Sequence, residues 1–375
     1  MTDLNSIYKS RRQRIYDYMK NHNISACIFN DSETRREPAV RYLSGHPSDA
    51  LLILLQEKCV LVPWDENLAA KKAFADEIIP LTSFGRSDFV AIKSVLEKEG
   101  LPLKSAVALP PSTSYLDWKK YCAELKNFSI LCEENSVHQF VVKMRSVKDE
   151  YEIECTKKAC AITDEMTAAI LKMVKSGQIK TETDVALFAE RELRNFGCER
   201  TSFDTLAAGP ERSFAIHAFP GYTKNEWAGN GLSILDYGVC YEGYASDCTI
   251  TIAKGNLNSK QKEILETVQK AFDECLPLYK NKSSIKKAAL KADEIFGAIN
   301  RQMPHSLGHG TGLEIHEAPF ISRRADENLV FEAGNIVTLE PGLYDAKLGG
   351  CRLENDILIT ETGNEILSKS KIFYI

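Results

Sequence analysis

Four acidic residues and one histidine in the C-terminal part of the chain constrain its fold more than any other feature. They stand in extended or glycine-rich segments, where a carboxylate without a partner is unfavourable. If these side chains converge, repulsion and desolvation force most of the acids to bind protons unless cations compensate their charge. Two divalent cations would balance four carboxylates and make a bridging water acidic near neutral pH. The five residues are Asp236, Asp247, His309, Glu340 and Glu354.

Composition limits the classes of protein that this chain can represent. It has 375 residues, of which 44% are hydrophobic, enough for two domains with their own cores. The net charge of -5 argues against nucleic acid or an anionic membrane as the main partner. We see no secretion signal and no apolar run long enough to span a bilayer. The eleven cysteines contain no CxxC pair and are typical of reduced thiols, which predicts a cytoplasmic protein.

The first part of the chain, residues 1–145, alternates between helical and extended patterns. This alternation predicts a three-layer α/β domain. A last extended run is expected at residues 139–143, and the domain boundary is placed at Arg145. The preceding helical and strand-like stretches lie at residues 6–21, 26–30, 51–55, 67–76 and 89–99.

The second part, residues 146–375, predicts an α+β domain in which helices pack against antiparallel strands. A helix is expected to begin at Ser146, with Asp149 as its capping-box partner, and to end at Gly177. Hairpin-like extended segments separate and follow three further helices, which are predicted at residues 183–196, 259–279 and 284–300.

The first predicted hairpin pairs two of the acids. Its strands, 232–236 and 244–252, flank a turn centred near residues 241–242. Directly opposed residues of a hairpin point to the same face of the sheet. Asp236 and Asp247 are therefore expected to lie across from each other with converging carboxylates.

The second predicted hairpin pairs the other two acids. Its strands, 336–340 and 351–359, flank a glycine-containing loop, so that Glu340 and Glu354 can oppose each other. Arg352 lies on the same face as Glu354. A fixed guanidinium at this position is suited to a substrate carboxylate or a developing oxyanion.

The histidine of the set lies in a glycine-rich stretch, residues 306–312, where the backbone can approach an ion closely. One imidazole and four carboxylates form a hard donor set, unlike a structural zinc site with thiolates. Manganese is the favoured ion, with cobalt, zinc or iron as alternatives. Three more histidines complete a cluster that can donate to substrate oxygens or carry protons: His217, His305 and His316.

Taken singly, each of these residues has a more ordinary interpretation. Acids at strand ends, one arginine or one histidine are more often solvated, ion-paired or structural. The glycine run at 308–312 superficially resembles a phosphate loop, but no helix-forming stretch follows it before Pro319. The conjunction of two hairpins with the histidine loop favours the metal site.

Six ordered blocks carry a family resemblance, namely Asp-Tyr-Gly at 236–238, Tyr-Ala-Ser-Asp at 244–247, His-Ser-Leu-Gly-His-Gly-Thr-Gly at 305–312, His-Glu-Ala-Pro at 316–319, Glu-Pro-Gly-Leu-Tyr at 340–344 and Gly-Cys-Arg-Leu-Glu at 350–354. They resemble the signature blocks of the pita-bread metallopeptidases, which include methionine aminopeptidase, Xaa-Pro aminopeptidase, prolidase and creatinase. The first part resembles the creatinase/prolidase-type N-terminal domain around residues 41–45. Methionine aminopeptidases generally lack that domain, so the resemblance is closest to the Xaa-Pro aminopeptidase and prolidase branch.

The resemblance implies a pita-bread catalytic domain at 146–375 and a ligand role for each of the five residues. Asp236 would bind one cation, while His309 and Glu340 would bind the other. Asp247 and Glu354 would bridge the two. Glu340 also matches the glutamate that usually transfers the proton.

The resemblance further implies roles for the remaining histidines. His217 and His316 match positions that contact the substrate and the transition state, and His305 matches one that lines the pocket. Two positions depart from the family pattern, because the family often has arginine where Ile250 stands and an acid where Asn355 stands. Both departures concern metal affinity and substrate preference rather than the ligands themselves.

These features together predict hydrolysis of the bond between an N-terminal residue and proline in short peptides, by an Xaa-Pro aminopeptidase or dipeptidase with two divalent cations. Arg352 is the candidate for the free carboxylate of a dipeptide. One alternative is a small-molecule amidohydrolase of the creatinase type, and another is a non-catalytic peptide-binding module on the same fold. Retention of all five ligand positions argues against a metal-free protein of either kind. The resemblance also implies a homodimer.

Overall fold

A computed structural model of the protein describes residues 3–375. The chain divides into two units, one that ends at Arg145 and one that covers Ser146–Ile375. Within the described residues, no helix combines the length and the apolar character needed to cross a membrane.

One mixed sheet organises the first unit. Its strands are β1 (Ala26–Asp31), β2 (Ala50–Leu55), β3 (Cys59–Pro63), β4 (Glu77–Ile78), β5 (Ala106–Ala108) and β6 (Ser129–Leu131). The order of the strands in the sheet is β4-β3-β2-β1-β5-β6. The helices of the unit are α1 (Leu4–Asn21), α2 (Pro38–Ser44), α3 (Glu66–Lys72), α4 (Asp88–Lys98), α5 (Tyr115–Glu124) and α6 (Val137–Ser146), with a 3-10 turn at Leu81–Phe84.

Helices cover both faces of this sheet. Ile28 and Ile53 share one apolar cluster with buried residues of α4 and α5. On the other face, the His138 ring of α6 contacts Phe29. Every residue of β2 and β3 is buried, as expected of strands enclosed on both sides. The predicted three-layer α/β arrangement is therefore confirmed.

The predicted strand at residues 139–143 is wrong, because these residues lie inside α6. Val137, Val141 and Met144 are buried at intervals of three to four residues, the spacing of one helical face. The β-branched residues in this stretch favour a strand only locally, and packing on a helical period overrides that preference.

The start of the next helix also differs from its prediction. Ser146 is the last residue of α6, and α7 (Glu150–Lys175) begins four residues later. Asp149 is the N-cap itself, and Glu152 completes the capping box. The capping box is therefore Asp149 with Glu152, and not Ser146 with Asp149 as predicted.

The second unit combines helices with several antiparallel sheets. Its further helices are α8 (Glu182–Asn195), α9 (Ser259–Cys275) and α10 (Ile285–Gly297). Its strands are β7 (Arg200–Thr201), β8 (Leu206–Ala208), β9 (Gly231–Tyr237), β10 (Val239–Tyr241), β11 (Tyr244–Ala245), β12 (Cys248–Lys254), β13 (Gly308–Gly310), β14 (Glu317–Ile321), β15 (Ile336–Leu339), β16 (Gly342–Asp345), β17 (Gly349–Arg352), β18 (Asn355–Ile359), β19 (Asn364–Ile366) and β20 (Ile372–Tyr374).

Two of the sheets meet at the centre of this unit. They have the orders β20-β12-β9-β8 and β14-β13-β15-β18-β19. An antiparallel bridge between Thr249 and Glu354 joins them. Helices α7 and α8 pack on the β9–β12 pair, while α9 and α10 pack on residues of β15, β17 and β18. This is the α+β arrangement that the sequence predicts.

The first predicted hairpin forms, but its register differs from the prediction. Asp236 lies opposite Thr249 rather than Asp247. The turn is centred one residue later, at Glu242 and Gly243, which both have positive φ as a two-residue type I′ turn requires. Moving the centre of a turn by one residue shifts the pairing by two, so each side chain keeps its predicted face.

The second predicted hairpin has the expected register. Leu339 pairs with Asn355 at the end of the β15–β18 ladder, so Glu340 and Glu354 are the next opposed residues. The loop that the prediction places between the strands forms a further ladder, β16–β17, in which Gly342 pairs with Arg352.

The capping box of α7 provides a test of this fold. Replacing Asp149 by alanine removes the acceptor for the Glu152 N–H, and we expect a loss of about 1 kcal/mol in the free energy of unfolding. Urea denaturation measures the change. Glu154→Ala, at an exposed position of the same helix, is the control and should stay near the wild type. Equal stabilities of the two variants would contradict the assigned cap.

Candidate metal centre

All nine residues predicted for the site line one cavity of the second unit, with a volume of about 620 Å³. The cavity lies where β9 and β15 end and β12 begins. Its polar lining includes Asp236, Asp247, Glu340, Glu354, Arg352, His217, His305, His309 and His316.

Three buried donors lie close enough to share one ion. Ligand atoms of Asp247, His309 and Glu354 all lie within 4.8 Å of one another. The Nε2 atom of His309 is 3.6 Å from Asp247 Oδ2 and 3.6 Å from Glu340 Oε1. Asp236 Oδ1 is buried and has no hydrogen-bond partner within residues 3–375. An acceptor oxygen left in that state is typical of a site that a cation completes.

The orientation of His309 follows from its neighbours. Its Nδ1 lies 3.1 Å from the carbonyl oxygen of Gly310, so Nδ1 carries the proton and Nε2 presents a lone pair to the acids. Its backbone N–H donates to Thr338 Oγ1 at 3.1 Å. A Cβ atom on Gly308 would lie 2.0 Å from the Thr338 carbonyl oxygen, which explains why glycine precedes this histidine.

Burial and mutual repulsion make this cluster unfavourable without cations. Burial first, and repulsion by the neighbouring carboxylates second, raise the pKa values of Asp247 and Glu354 well above their ordinary range. Burial raises the pKa of Glu340 to about 8, although Arg352 opposes this shift. The same burial lowers the pKa of His309 to about 4, so its imidazole is neutral. Hard oxygen donors and a neutral imidazole fit divalent cations, which would restore the charged carboxylates.

Arg352 is buried and held by four internal hydrogen bonds. Its guanidinium donates to Asp236 Oδ2 at 2.5 Å, to Thr249 Oγ1 at 2.9 Å, to the Ile216 carbonyl at 3.1 Å and to the Tyr344 hydroxyl at 2.6 Å. A guanidinium has five N–H donors, so one remains for another acceptor. One of the four bonds orients Asp236, and another holds the backbone at Ile216.

The other three histidines lie along the wall of the cavity. His305 Nε2 is 3.2 Å from the Tyr344 hydroxyl, and burial lowers its pKa to about 4. The His316 ring lies 4.3 Å from the His309 ring, and its pKa is lowered by burial and by His217. His217 and His316 are exposed to the open part of the cavity. Imidazoles there can donate to substrate oxygens.

Several polar residues around the ligands are not identified by the sequence analysis. Thr249 Oγ1 donates to Glu354 Oε2 at 2.6 Å. Asp356 Oδ2 accepts from the Asp247 backbone N–H at 2.8 Å, and its Oδ1 accepts from Thr311 Oγ1 at 3.2 Å. A hairpin turn centred on Glu242 and Gly243 would have predicted Thr249 opposite Asp236. No motif in the sequence around Asp356 indicates its contacts with Asp247 and Thr311.

The two departures from the family pattern have structural explanations. Ile250 is fully buried in the apolar cluster beneath α7 and α8, where an arginine side chain would lose its hydration. Asn355 Oδ1 accepts from the Ser370 N–H at 2.7 Å and fixes the C-terminal segment.

Comparisons with known proteins identify relatives of both units. A family profile described as metallopeptidase family M24 matches residues 154–361, and one described as creatinase/prolidase N-terminal domain matches residues 11–147. An Xaa-Pro dipeptidase of Pyrococcus horikoshii is 31% identical over 372 residues, which are 97% of this chain and 98% of that protein.

Solved structures are similar over almost the whole chain. The prolidase from Pyrococcus horikoshii OT3 has a TM-score of 0.83 at 28% identity, covering 97% of this chain and 99% of that chain. The X-Pro aminopeptidase from Thermotoga maritima MSB8 has a TM-score of 0.82 at 26% identity, with the same coverage of both chains. These similarities confirm the predicted pita-bread fold preceded by a creatinase-type domain.

Removal of metal should make stability depend on pH. The folded-state pKa of Glu340, about 8, lies above the ordinary value of 4.5, so this group stabilises the metal-free fold at low pH and the stabilisation is lost as the pH rises through about 8. We expect the Tm of chelator-treated protein to fall between about pH 6.5 and 9, a range above the lowered pKa values of His305 and His309. Manganese should reduce this fall, and a Tm that is flat without metal would contradict the charge assignment.

The close approach at Gly308 gives a second test. Gly308→Ala places a methyl group against the Thr338 carbonyl and must displace the strand that carries His309. We expect metal affinity to fall roughly 10- to 100-fold, the usual effect of disturbing a ligand's support. Isothermal titration with manganese measures it. Gly363→Ala, where no atom lies within 4 Å of the added methyl group, is the control and should keep wild-type affinity.

Proposed function

This chain belongs to metallopeptidase family M24, as its resemblance to the Xaa-Pro aminopeptidase and prolidase branch implies, and we propose that it hydrolyses the bond between an N-terminal residue and proline in short peptides. It is a hydrolase of the metallopeptidase class. The observation that carries the proposal is the convergence of all five predicted donors on one cavity that also presents three further histidines.

We propose two divalent cations in this cavity, with manganese as the favoured ion and cobalt, zinc or iron as alternatives. Asp236 would hold one cation through its unpartnered Oδ1, His309 and Glu340 would hold the other, and Asp247 and Glu354 would bridge them. Bound cations supply Lewis acidity, which polarises a carbonyl group and acidifies water. The raised pKa values of the buried acids support a charge requirement of this size.

The side chains around the cavity supply the proton transfers and the oxyanion contacts. Glu340 has 16% of its side chain exposed, against 6% for Asp247, so it is the more accessible of the two for carrying a proton. We assign it the transfer of a proton to the departing proline nitrogen. His217 and His316 face the open cavity and would donate to the carbonyl oxygen as negative charge develops on it.

The apolar wall of the cavity fits a proline ring. An Xaa-Pro bond has no N–H on the proline side, so selection must depend on ring shape rather than on a backbone donor. Apolar side chains contribute part of the wall, and they are Phe203, Leu206, Ile216, Phe219, Ile315 and Phe320. His305, packed against Tyr344, closes the polar side.

Arg352 has a limited role in substrate binding under this proposal. Because four of its donors are used internally, at most one can reach a substrate carboxylate. We therefore propose that Arg352 mainly orients Asp236 and adds one contact to the carboxylate of an Xaa-Pro dipeptide. On the resemblance alone, we also propose a cytoplasmic homodimer.

A substrate panel tests the activity and the substrate length together. We expect a chelator-sensitive hydrolysis of Xaa-Pro dipeptides that is restored by manganese, and no hydrolysis of Met-Ala peptides. A dipeptidase should lose most of its activity on the dipeptide amide, because the carboxylate contact is gone, whereas an aminopeptidase should keep it. Less than one equivalent of tightly bound metal together with an inactive panel would instead favour a binding module.

The ligand assignment is tested by one substitution and its matched control. Asp247→Asn removes a charged bridging ligand, and we expect the metal content to fall below two per chain and kcat/KM to fall more than about 100-fold. Asp204→Asn alters an exposed acid that lines the same cavity and should change neither quantity strongly. Metal analysis by mass spectrometry and a dipeptide assay measure both. Full metal content in Asp247→Asn would refute the assignment.

A further inference from the structure

One loop of the second unit carries His217 into the cavity. It leaves β8 at Gly209 and reaches Thr223 before the chain returns to β9. Ile216, His217, Ala218 and Phe219 line the cavity, and Phe219 is 95% exposed. Ala215 and Ala218 pack in a small apolar cluster, and the rest of the loop depends on polar contacts to hold one conformation.

Those contacts converge on Glu182, the first residue of α8, which is fully buried. Its Oε1 accepts from the Gly209 N–H at 2.8 Å. Its Oε2 accepts from the Thr223 N–H at 2.8 Å and from the Thr223 hydroxyl at 2.7 Å. One carboxylate therefore closes the loop by binding both of its ends.

Arg212 extends the same contact across the loop. Its guanidinium donates to Glu182 and also to the carbonyl oxygen of Pro220. Pro220 lies three residues after His217, and Arg212 lies five residues before it. The ion pair therefore spans the segment that presents the imidazole.

The opposite side of the loop is attached to the metal side of the cavity. The Ile216 carbonyl accepts from Arg352, which also binds Asp236, and Ser213 Oγ accepts from the Gly350 N–H at 3.1 Å. Glu182 makes none of these contacts. Its effect on the reaction must therefore pass through the loop.

An ordinary role at the start of a helix does not account for Glu182. An acid in the first turn is favourable to the helix dipole even when it is exposed. The helix start is already capped by Thr181 and Asp184, which form a capping box. A fully buried carboxylate costs more free energy than that interaction returns, so its other contacts must compensate for the burial.

We propose that Glu182 is a positioning residue that sets the place of His217 in the cavity by closing the 209–223 loop. The inference rests on the proposed function of His217 in supporting the oxyanion. It predicts that the ligands of the cations are unaffected when Glu182 is changed, while the step that His217 supports becomes slower.

The substitution Glu182→Gln keeps the size of the side chain but turns one acceptor into a donor that faces donors. We expect a metal content equal to that of the wild type and a decrease in kcat of roughly 10- to 100-fold, because a misplaced catalytic group costs about that much. Amide hydrogen exchange across residues 209–223 should become faster. Asp184→Asn, which weakens only the cap of the same helix, is the control and should keep kcat and the exchange of the loop.

A double-mutant cycle separates positioning from general destabilisation. If Glu182 acts through His217, then Glu182→Gln should lower kcat little further in a His217→Ala background. Effects that multiply in the double variant, loss of metal, or unchanged exchange in the loop would each overturn the inference.

Two outcomes call for a further measurement, namely a Glu182→Gln variant that does not fold and a wild-type protein without activity. If Glu182→Gln does not fold, Glu182→Asp keeps the charge but shortens the side chain by one methylene group, so that one carboxylate can no longer reach both Gly209 and Thr223. Faster exchange and a lower kcat in that variant support the inference, and wild-type values overturn it. If the wild-type protein cleaves no Xaa-Pro peptide, the proposed function fails, and the exchange comparison alone then decides whether Glu182 closes the loop.

Discussion

The gathering of carboxylates in a buried cavity is the condition on which the second unit depends. Asp247 and Glu354 are nearly inaccessible to water and lie close enough to repel each other. Desolvation alone would favour their protonated forms. Arg352 offsets part of this charge through Asp236, but Asp356 adds another buried carboxyl group beside Asp247. With these acids ionised, the cavity would hold more negative charge than its own cation can balance, which is the physical argument for the proposed metal centre.

Each hairpin places an acid where a ladder is interrupted, whereas Asp236 lies inside β9. Asp247 falls between β11 and β12, and Glu354 falls between β17 and β18. At such a break, a backbone N–H is released from its own ladder and can bind elsewhere. The Asp247 N–H donates to Asp356, the Glu354 N–H to the Thr249 carbonyl, and the Glu340 N–H to the Leu307 carbonyl. Asp247 and Glu354, two of the proposed ligands, thus also join the two sheets, so formation of the site and docking of the sheets are coupled.

The parts of this site that follow from local spacing could be predicted, and the parts that depend on distant contacts could not. Hairpin alternation is sufficient for the faces of Asp236 and Glu340, and even an error in the turn centre preserves them, because a shift of two residues keeps the face. Asp356 is different, since it lies 109 residues from the backbone group that it binds. Glu182 likewise contacts residues 27 and 41 positions away, and nothing in its neighbourhood distinguishes it from a helix-start acid.

The same difference explains the error in α6. A short run with β-branched residues is compatible with a strand or with a buried helix face, and only packing on a helical period decides between them. In the candidate metal centre, by contrast, acidic residues prefer solvent but the fold buries them. This conflict indicates a functional site. Buried acids that repel one another are unfavourable for folding, and the proposed cations would compensate their charge. Arg352 connects this unfavourable cluster to the substrate side, because one guanidinium binds both Asp236 and the loop that carries His217. Arg352 therefore both balances charge beside Asp236 and holds the loop that presents His217.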